Sequence, residues 1–510
     1  MTTIAIHRLH TRLRVASGDD HAASRLKRLL AEVLDGALEL ALQGRGLNGR
    51  GELCIRSVHA RVDLDLAATD AVLVAQWALQ LADAVACSRE RPDAGLVHYG
   101  SRAHALADLT LSAPAGDFTR AWAWHGLGLW PAPESVTAAD AAALVLRALA
   151  ENAGQAVAAL AALARQPARF ERWWRRVTPA GLAALARAVL LDAGADAALA
   201  HAVRSDAGAG IALPPWLRRT ALAQVAERRA APAAGRHETL APALAGWPAS
   251  RVLALLAIAE AQPALLLAHG GALSGLLDGL AARWAPQAQV QPRQPPFQAE
   301  TADRPVSGHV GAPEAQQNPQ LKRAPIANPA WTPSTEGSTA LPARASAGTA
   351  FGGLLFLLNL AAELGWPARW LDDPVLAARG ARWGLYRLAL GLLPSAARHD
   401  PVALAFAGLP PGADPPDADS PAPDAAESAA LAAVRDELLA ALRARLPQAP
   451  DDDAMLLRLC RRTGEIRADP GWLELHLSLD EVRTEVRAAG LDLDPGWVPW
   501  LGLVIRFVYG

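Results

Sequence analysis

Lysine is almost absent from this chain. Only Lys27 and Lys322 carry an ammonium group; every other strong base is arginine. Acidic and basic residues nearly cancel, leaving a net charge of −2, so no field of one sign gathers nucleic acid or an anionic membrane. Phe and Tyr are scarce, at 7 and 3 residues against 16 Trp. Together with the arginine bias, this reads as the codon usage of a GC-rich bacterial genome rather than an arginine-based binding code. Cys54, Cys87 and Cys460 are scattered and odd in number, which gives neither a disulfide framework nor zinc-ligand spacing and fits a reducing compartment. The N-terminus lacks a cationic start followed by an apolar run, so no signal peptide is expected. The most apolar stretch, Phe351 to Ala362, contains Asn359 and is shorter than the roughly 20 residues that span a bilayer. It is expected to be a buried helix, and a cytoplasmic protein follows.

What the chain has is alanine and leucine. They supply most of the 52% hydrophobic fraction, with few β-branched residues, and both lose little entropy in a helix. At 510 residues, two to four folded units are expected. Residues 1–90 read as a small α+β module: a strand over 3–16, a helix from Asp20 to about Leu42, an alternating strand from Leu53 to Leu66, and a helix over about 69–88. Residues 91–284 read as a helical domain, in which Thr137 with Asp140 suggests a capping box and Thr178-Pro179 an N-cap with proline at the first helical position. Residues 285–348, rich in Pro, Gln, Ala, Ser and Thr, read as a disordered linker. A helical block at 349–409 and a Pro/Asp-rich linker at 410–425 follow. Residues 426–510 read as helices over about 426–446 and 452–462, then a strand–helix–strand unit whose strands are Leu473–Leu479 and Leu503–Tyr509. Asp480 is the expected cap of the short helix between them. The fold class is therefore mainly α, multi-domain, with small α+β units at the N- and C-termini.

Motifs that carry chemistry fail on context. Gly44-Arg-Gly46-Leu-Asn-Gly49 matches a dinucleotide fingerprint, but the order here is helix, glycines, strand, so a helix C-cap and loop is expected. Neither lysine follows a glycine, so there is no P-loop. Gly271 to Gly275 has one spacer too many for a nucleophile elbow and reads as a helix break. His7 and His10 point to opposite faces of the expected strand, and His59 with Asp63 reads as a solvated outer face. Asp451-Asp-Asp453 suits a helix start, where carboxylates meet the positive end of the dipole. Phe170 to Arg176 interleaves aromatics with arginine; a helix that turns Trp173 and Trp174 inward explains it without a ligand. No catalytic residue, cofactor or metal site is expected, and no nucleic-acid, membrane or small-molecule partner.

Three sets of residues carry a resemblance. The first is the N-terminal strand, the helix with Arg25, Leu26, Arg28, Leu29 and Leu30, and the segment Val58 to Leu66. The second is Gly353 to Leu358, Gly365, and Val402 to Leu404 leading into Gly408-Leu409-Pro410. The third is Gly471 to His476 and Ala489 to Gly502. Here the chain resembles the tape measure proteins of bacterial contractile injection systems, the phage-tail-like particles, over roughly a third of its length. The resemblance implies a non-catalytic structural or assembly protein, in tube-length control or tail assembly, whose partners are tube, baseplate or cap components. A helix gains about 1.5 Å per residue, and 38 prolines forbid a continuous rod, which leaves room for an assembly factor, cap or chaperone. The alternative is a general helical scaffold or adaptor that binds one partner protein.

The candidate partner interface is Trp472, Trp497 and Trp500, beside the two C-terminal strands. Two strands alone are marginal in water. Three fates are open: cover by the helices 426–446 and 452–462, pairing with residues 3–16 and 53–66, or an edge left free for a partner.

Overall fold

The computed structural model describes residues 6, 9–12, 14, 20–47, 51–89, 95–131, 140–195, 211–231, 249–267, 271–285, 341–418, 421–447 and 451–510. About 60% of them are helical and the strands form small groups, so the mainly helical reading holds. Thr137 and residues 286–340 of the expected linker lie outside the described residues.

Near the N-terminus, α1 (Asp20–Glu32) and α2 (Leu38–Gly44) replace the single helix expected over 20–42. A π-turn at Val33–Ala37 separates them because Gly36 takes φ 147°, a conformation open to glycine alone. With α3 (Asp70–Arg89) they enclose Leu26, Leu29, Val33, Leu38, Leu73 and Trp77. Arg25 fastens this group, donating to Asp70 and to the carbonyls of Leu66 and Ala68. Only the start of the expected strand 53–66 pairs: β1 (Glu52–Ile55) lies antiparallel to β2 (Leu96–Tyr99). Residues 57–65 join no ladder. Their alternation is spent on the helices instead, with Val62, Leu64 and Leu66 packed on the small core and Arg61, Asp63 and Asp65 exposed. The Gln80 side chain bonds both the N–H and the carbonyl of Asp63, as a neighbouring strand would. Of the strand expected over 3–16, residues 6, 9–12 and 14 are described and belong to no strand; the remainder, His7 included, lies outside the described residues.

The first large core is built by α4 (Arg102–Ser112), α5 (Ala121–Gly126), α6 (Ala141–Glu151), α7 (Ala153–Ala164), α8 (Pro167–Trp174), α9 (Pro179–Asp192), α10 (Ala221–Ala230), α11 (Ala249–Ala261) and α12 (Gly271–Trp284). Thr178 caps α9 by accepting from the Gly181 N–H, with Pro179 at the first position. Phe170, Trp173 and Trp174 are buried, with Phe170 stacked on Trp174 and Trp173 edge-on to both, while Arg172, Arg175 and Arg176 stay outside. Gly271 to Gly275 does not break a helix; it opens α12, which runs on through Ser274. Gly44 ends α2, and Gly46 follows at φ 65°, as a helix C-cap and loop require.

The second core lies under a five-stranded sheet ordered β3-β4-β5-β7-β6. Its strands are β3 (Ala345–Thr349), β4 (Gly464–Asp469), β5 (Trp472–Leu477), β6 (Gly496–Val498) and β7 (Leu503–Tyr509). The β5–β7 pair is parallel and the other three pairs are antiparallel. Two features depart from expectation. Residues 345–348, placed in the linker, are the edge strand β3, and the sheet has three strands (β3, β4, β6) beyond the two expected. Short length and small residues hide them: β3 reads Ala-Ser-Ala-Gly-Thr, and β6 has three residues. The helices of this half are α13 (Leu357–Glu363), α14 (Trp366–Asp372), α15 (Pro374–Ala377), α16 (Ala381–Leu392), α17 (Val402–Phe406), α18 (Ala425–Arg445), α19 (Asp452–Cys460) and α20 (Thr484–Ala488). Leu438, Leu439, Leu442, Met455, Leu456 and Leu459 of α18 and α19 share one core with Ile466, Leu473, Leu475, Ile505 and Phe507 of the sheet. The helices therefore give the sheet its cover, and residues 53–55 pair with β2 rather than with the C-terminal strands. Asp451 caps α19 as expected. Ser478, not Asp480, caps the turn after β5, accepting from the Asp480 N–H. The stretch from Phe351 forms a 3-10 turn, Gly352–Phe356, that runs into α13, and both are buried.

Candidate functional site

Backbone register decides where the three candidate tryptophans go. Trp472 on β5 and Trp497 on β6 are both register partners of Val504 on β7, the strand between them. Paired residues project to the same face, so the two indoles flank Val504 on one side of the sheet. Both are half-buried. Trp500, just after β6, turns away and is buried in the second core. The structure thus brings together Trp472 and Trp497, and makes Trp500 a core residue.

The face carrying Trp472 and Trp497 borders a cleft of about 270 Å³. Its opposite wall is one side of α7, with Gly154, Val157, Ala158 and Ala161. Close approach depends on glycine here. A Cβ on Gly471, which sits at φ 75°, would lie 3.2 Å from the Ala158 Cβ, and one on Gly502, at φ 68°, would lie 2.8 Å from Pro263. At one end of the cleft Trp497 adjoins Gly154 and Asp192: a Cβ on Gly154 would meet Asp192 Oδ2 at 2.8 Å and the indole at 3.3 Å. Burial raises the Asp192 pKa. At the other end are Arg165, Glu260 and Arg382. Glu260 accepts from the N–H groups of Ala221 and Leu222, each at 2.9 Å, at the start of α10. Burial still outweighs those bonds and raises its pKa.

Beside Trp472 runs a buried polar network that sequence patterns did not announce. Arg344, just before β3, donates to Glu474 Oε2 at 2.8 Å and lies 3.4 Å from Asp469 Oδ2. Glu474 also receives Trp472 Nε1 at 3.2 Å and His476 Nε2 at 2.9 Å. Burial alone would raise its pKa, but these donors and the Arg344 charge overcome it and bring the value down to about 2. From the other side His104 Nδ1 approaches Asp469 Oδ1 at 3.7 Å and accepts from the Gly100 N–H at 3.2 Å. Burial lowers the His104 pKa and raises that of Asp469, so both groups lean toward neutrality. Gly100 makes the approach possible, since a Cβ there would stand 2.7 Å from Asp469 Oδ2. The network ties α4 to the sheet across 365 positions of sequence from His104 to Asp469. Alternation marked β5, but nothing in the sequence linked Gly100, His104 and Arg344 to it.

The other buried charges serve packing. Asp108, with no exposed surface, accepts from Tyr99 Oη, Trp124 Nε1, Ser112 Oγ and two nitrogens of Arg120. Glu427 closes the capping box of α18 and takes two bonds from Arg379. Cys54 and Cys460 are held as thiols, their pKa values pushed by burial to about 11 and about 12. Among the described residues no three of His, Cys, Asp and Glu converge as metal ligands do. No protein-family model, characterised protein or solved structure matches the chain.

Proposed function

We propose that the chain is a structural or assembly protein of a bacterial contractile injection system, acting in the cytoplasm in tail assembly or control of tube length. The observation that supports this reading is a convergence. The segments that carry the C-terminal part of the resemblance, 353–358, 402–410, 471–476 and 489–502, meet in one core and along one cleft wall. Their glycines have backbone duties: Gly408, Gly471, Gly490 and Gly502 all have positive φ, and a Cβ on Gly353 would sit 2.1 Å from the Leu459 carbonyl. These backbone duties support a reading in which the residues act through shape and packing, as expected of a non-catalytic building unit. Multi-domain organisation, with small α+β units at both ends, belongs to the same proposal.

A surface for a protein partner is offered by α3. Leu73, Trp77 and Ala78 face its core, yet Val72, Ala75 and Leu79 make an outward apolar stripe at helical spacing, with Val72 and Leu79 each 45% exposed. A helix apolar on both sides calls for cover on both. It is also the one described helix long and apolar enough to cross a bilayer by length and composition, at a mean hydropathy of 1.4. The longest described helix, α18, has 21 residues and spans about 30 Å, so length control would run through binding rather than through one rigid helix. The double variant Val72→Asp, Leu79→Asp tests the surface. It should fold as the parent does and lose co-purification of tube, baseplate or cap components. Retained co-purification overturns this surface; binding of the parent to lipid vesicles, abolished in the variant, reassigns it to a membrane. Stoichiometric recovery of one partner unrelated to such particles would favour the adaptor.

A further inference from the structure

Two arginines at one end of the cleft share the field of Glu260 but hydrogen-bond to no acid. Arg165 follows the last residue of α7, and Arg382 lies in the first turn of α16. Neither side chain makes a hydrogen bond or ion pair with any described residue, and Arg382 Nε is fully enclosed without a partner. Their shared neighbour is Glu260, but both of its oxygens already accept the N–H groups of Ala221 and Leu222. Burial pulls the Arg382 pKa below the ordinary arginine value, against the Glu260 charge that favours ionisation and with the Arg165 charge that opposes it. Arg165 is exposed and Arg382 half-buried, so the cost falls on the enclosed Arg382 Nε, a charged donor shut off from water without an acceptor.

The local sum of charge is two cations and one anion, a surplus that a single negative charge neutralises. Two further acids line the cleft: Asp469, which already faces Arg344 and accepts from Ser101 Oγ, and Asp192, which lies near Gly154 at the far end of α7. At about 1.5 Å per residue, that is roughly 16 Å of helix from Arg165. Val157 and Ala161 on one wall and the indoles of Trp472 and Trp497 on the other supply the apolar part of the lining. Trp497 adds a second enclosed donor, an Nε1 without a partner. A planar carboxylate matches a guanidinium fork and brings one charge, whereas a phosphate dianion would exceed the surplus and meet Glu260. The volume of about 270 Å³ suits a body of one or two amino-acid residues.

We infer that the Arg165–Arg382 end of this cleft is a binding subsite for a carboxylate carried on an apolar body, the chemistry shared by a free acid and by the C-terminal residue of another protein chain. The subsite stands independently of the particle assignment. N-acetyl-phenylalanine, its amide and inorganic phosphate are titrated into the full chain, with tryptophan fluorescence as the readout. Pentapeptides ending in phenylalanine, with free or amidated C-termini, are titrated in parallel. The acid should bind at least about tenfold more tightly than the amide, because charged hydrogen bonds to the guanidinium groups are lost with the charge. Arg382→Gln should erase that preference, and so should Arg165→Gln, which alters an exposed residue and leaves folding intact. A free-ended pentapeptide that outbinds the single residue identifies a chain end as the source; the reverse identifies a free acid. Equal binding of acid and amide, no binding of either, tighter binding of phosphate, or a preference that survives in Arg165→Gln would overturn the inference.

Discussion

Replacing Glu474 with glutamine should remove a pH dependence of stability whose size follows from its surroundings. The carboxylate is almost fully buried and is held by Arg344, Trp472 and His476. Its pKa falls from an ordinary 4.5 to about 2. A depressed acid stabilises the fold because its ionised form is held more favourably there than in the unfolded chain. Its contribution is therefore whole above about pH 4.5 and is lost as pH falls toward about 2. At 1.36 kcal/mol per unit, that interval corresponds to about 3 kcal/mol as an upper figure. Urea unfolding of the parent and of Glu474→Gln at a series of pH values from neutral downward isolates the effect, since the other titrating groups are common to both. The stability gap should be constant near neutrality and close by roughly 1 kcal/mol for each unit below about pH 4.5. Parallel curves down to the lowest pH at which both fold would show that Glu474 is not held as described.

Further outcomes follow from packing. Asp108→Ala takes the acceptor from Tyr99 and Trp124 and the bidentate partner from Arg120, so denaturant unfolding should show a loss of roughly 3–5 kcal/mol. Trp500→Ala should cost about 3–5 kcal/mol by the same measurement, as a buried residue of the second core, whereas Trp497→Ala, half-buried at the cleft, should cost markedly less. Gly353→Ala should lower the melting temperature sharply, because the new methyl meets backbone at Leu459 and cannot be accommodated by a side-chain rotation.

How much of this was legible depended on the range over which each feature is encoded. Helices written in alanine and leucine with local caps, such as Thr178 and Asp451, could be read directly because the capping bond spans three residues. Alternation was legible too, but not its use: of the alternating residues expected to face in, Val62, Leu64 and Leu66 lie on helices while Val58 and Ala60 are exposed, and 472–477 alternate within a sheet. Gly36 is a single glycine in a strong helical period, and the period alone does not announce its φ of 147°. β3 escaped notice because Ala-Ser-Ala-Gly-Thr has no β-forming bulk and is a strand only because β4, more than a hundred residues later, pairs with it. The cleft was half visible. Trp472 and Trp497 stood out by composition, whereas Arg165, Glu260 and Arg382 come from three distant helices whose sequences mark them as ordinary surface charges.

The central proposal, a role in building a contractile injection particle, is tested most directly by deleting the gene in its native host and imaging the particles by electron microscopy. Particles should be absent or their tubes altered in length, with both restored by the intact gene supplied in trans. Normal particles in normal numbers after deletion would contradict the account.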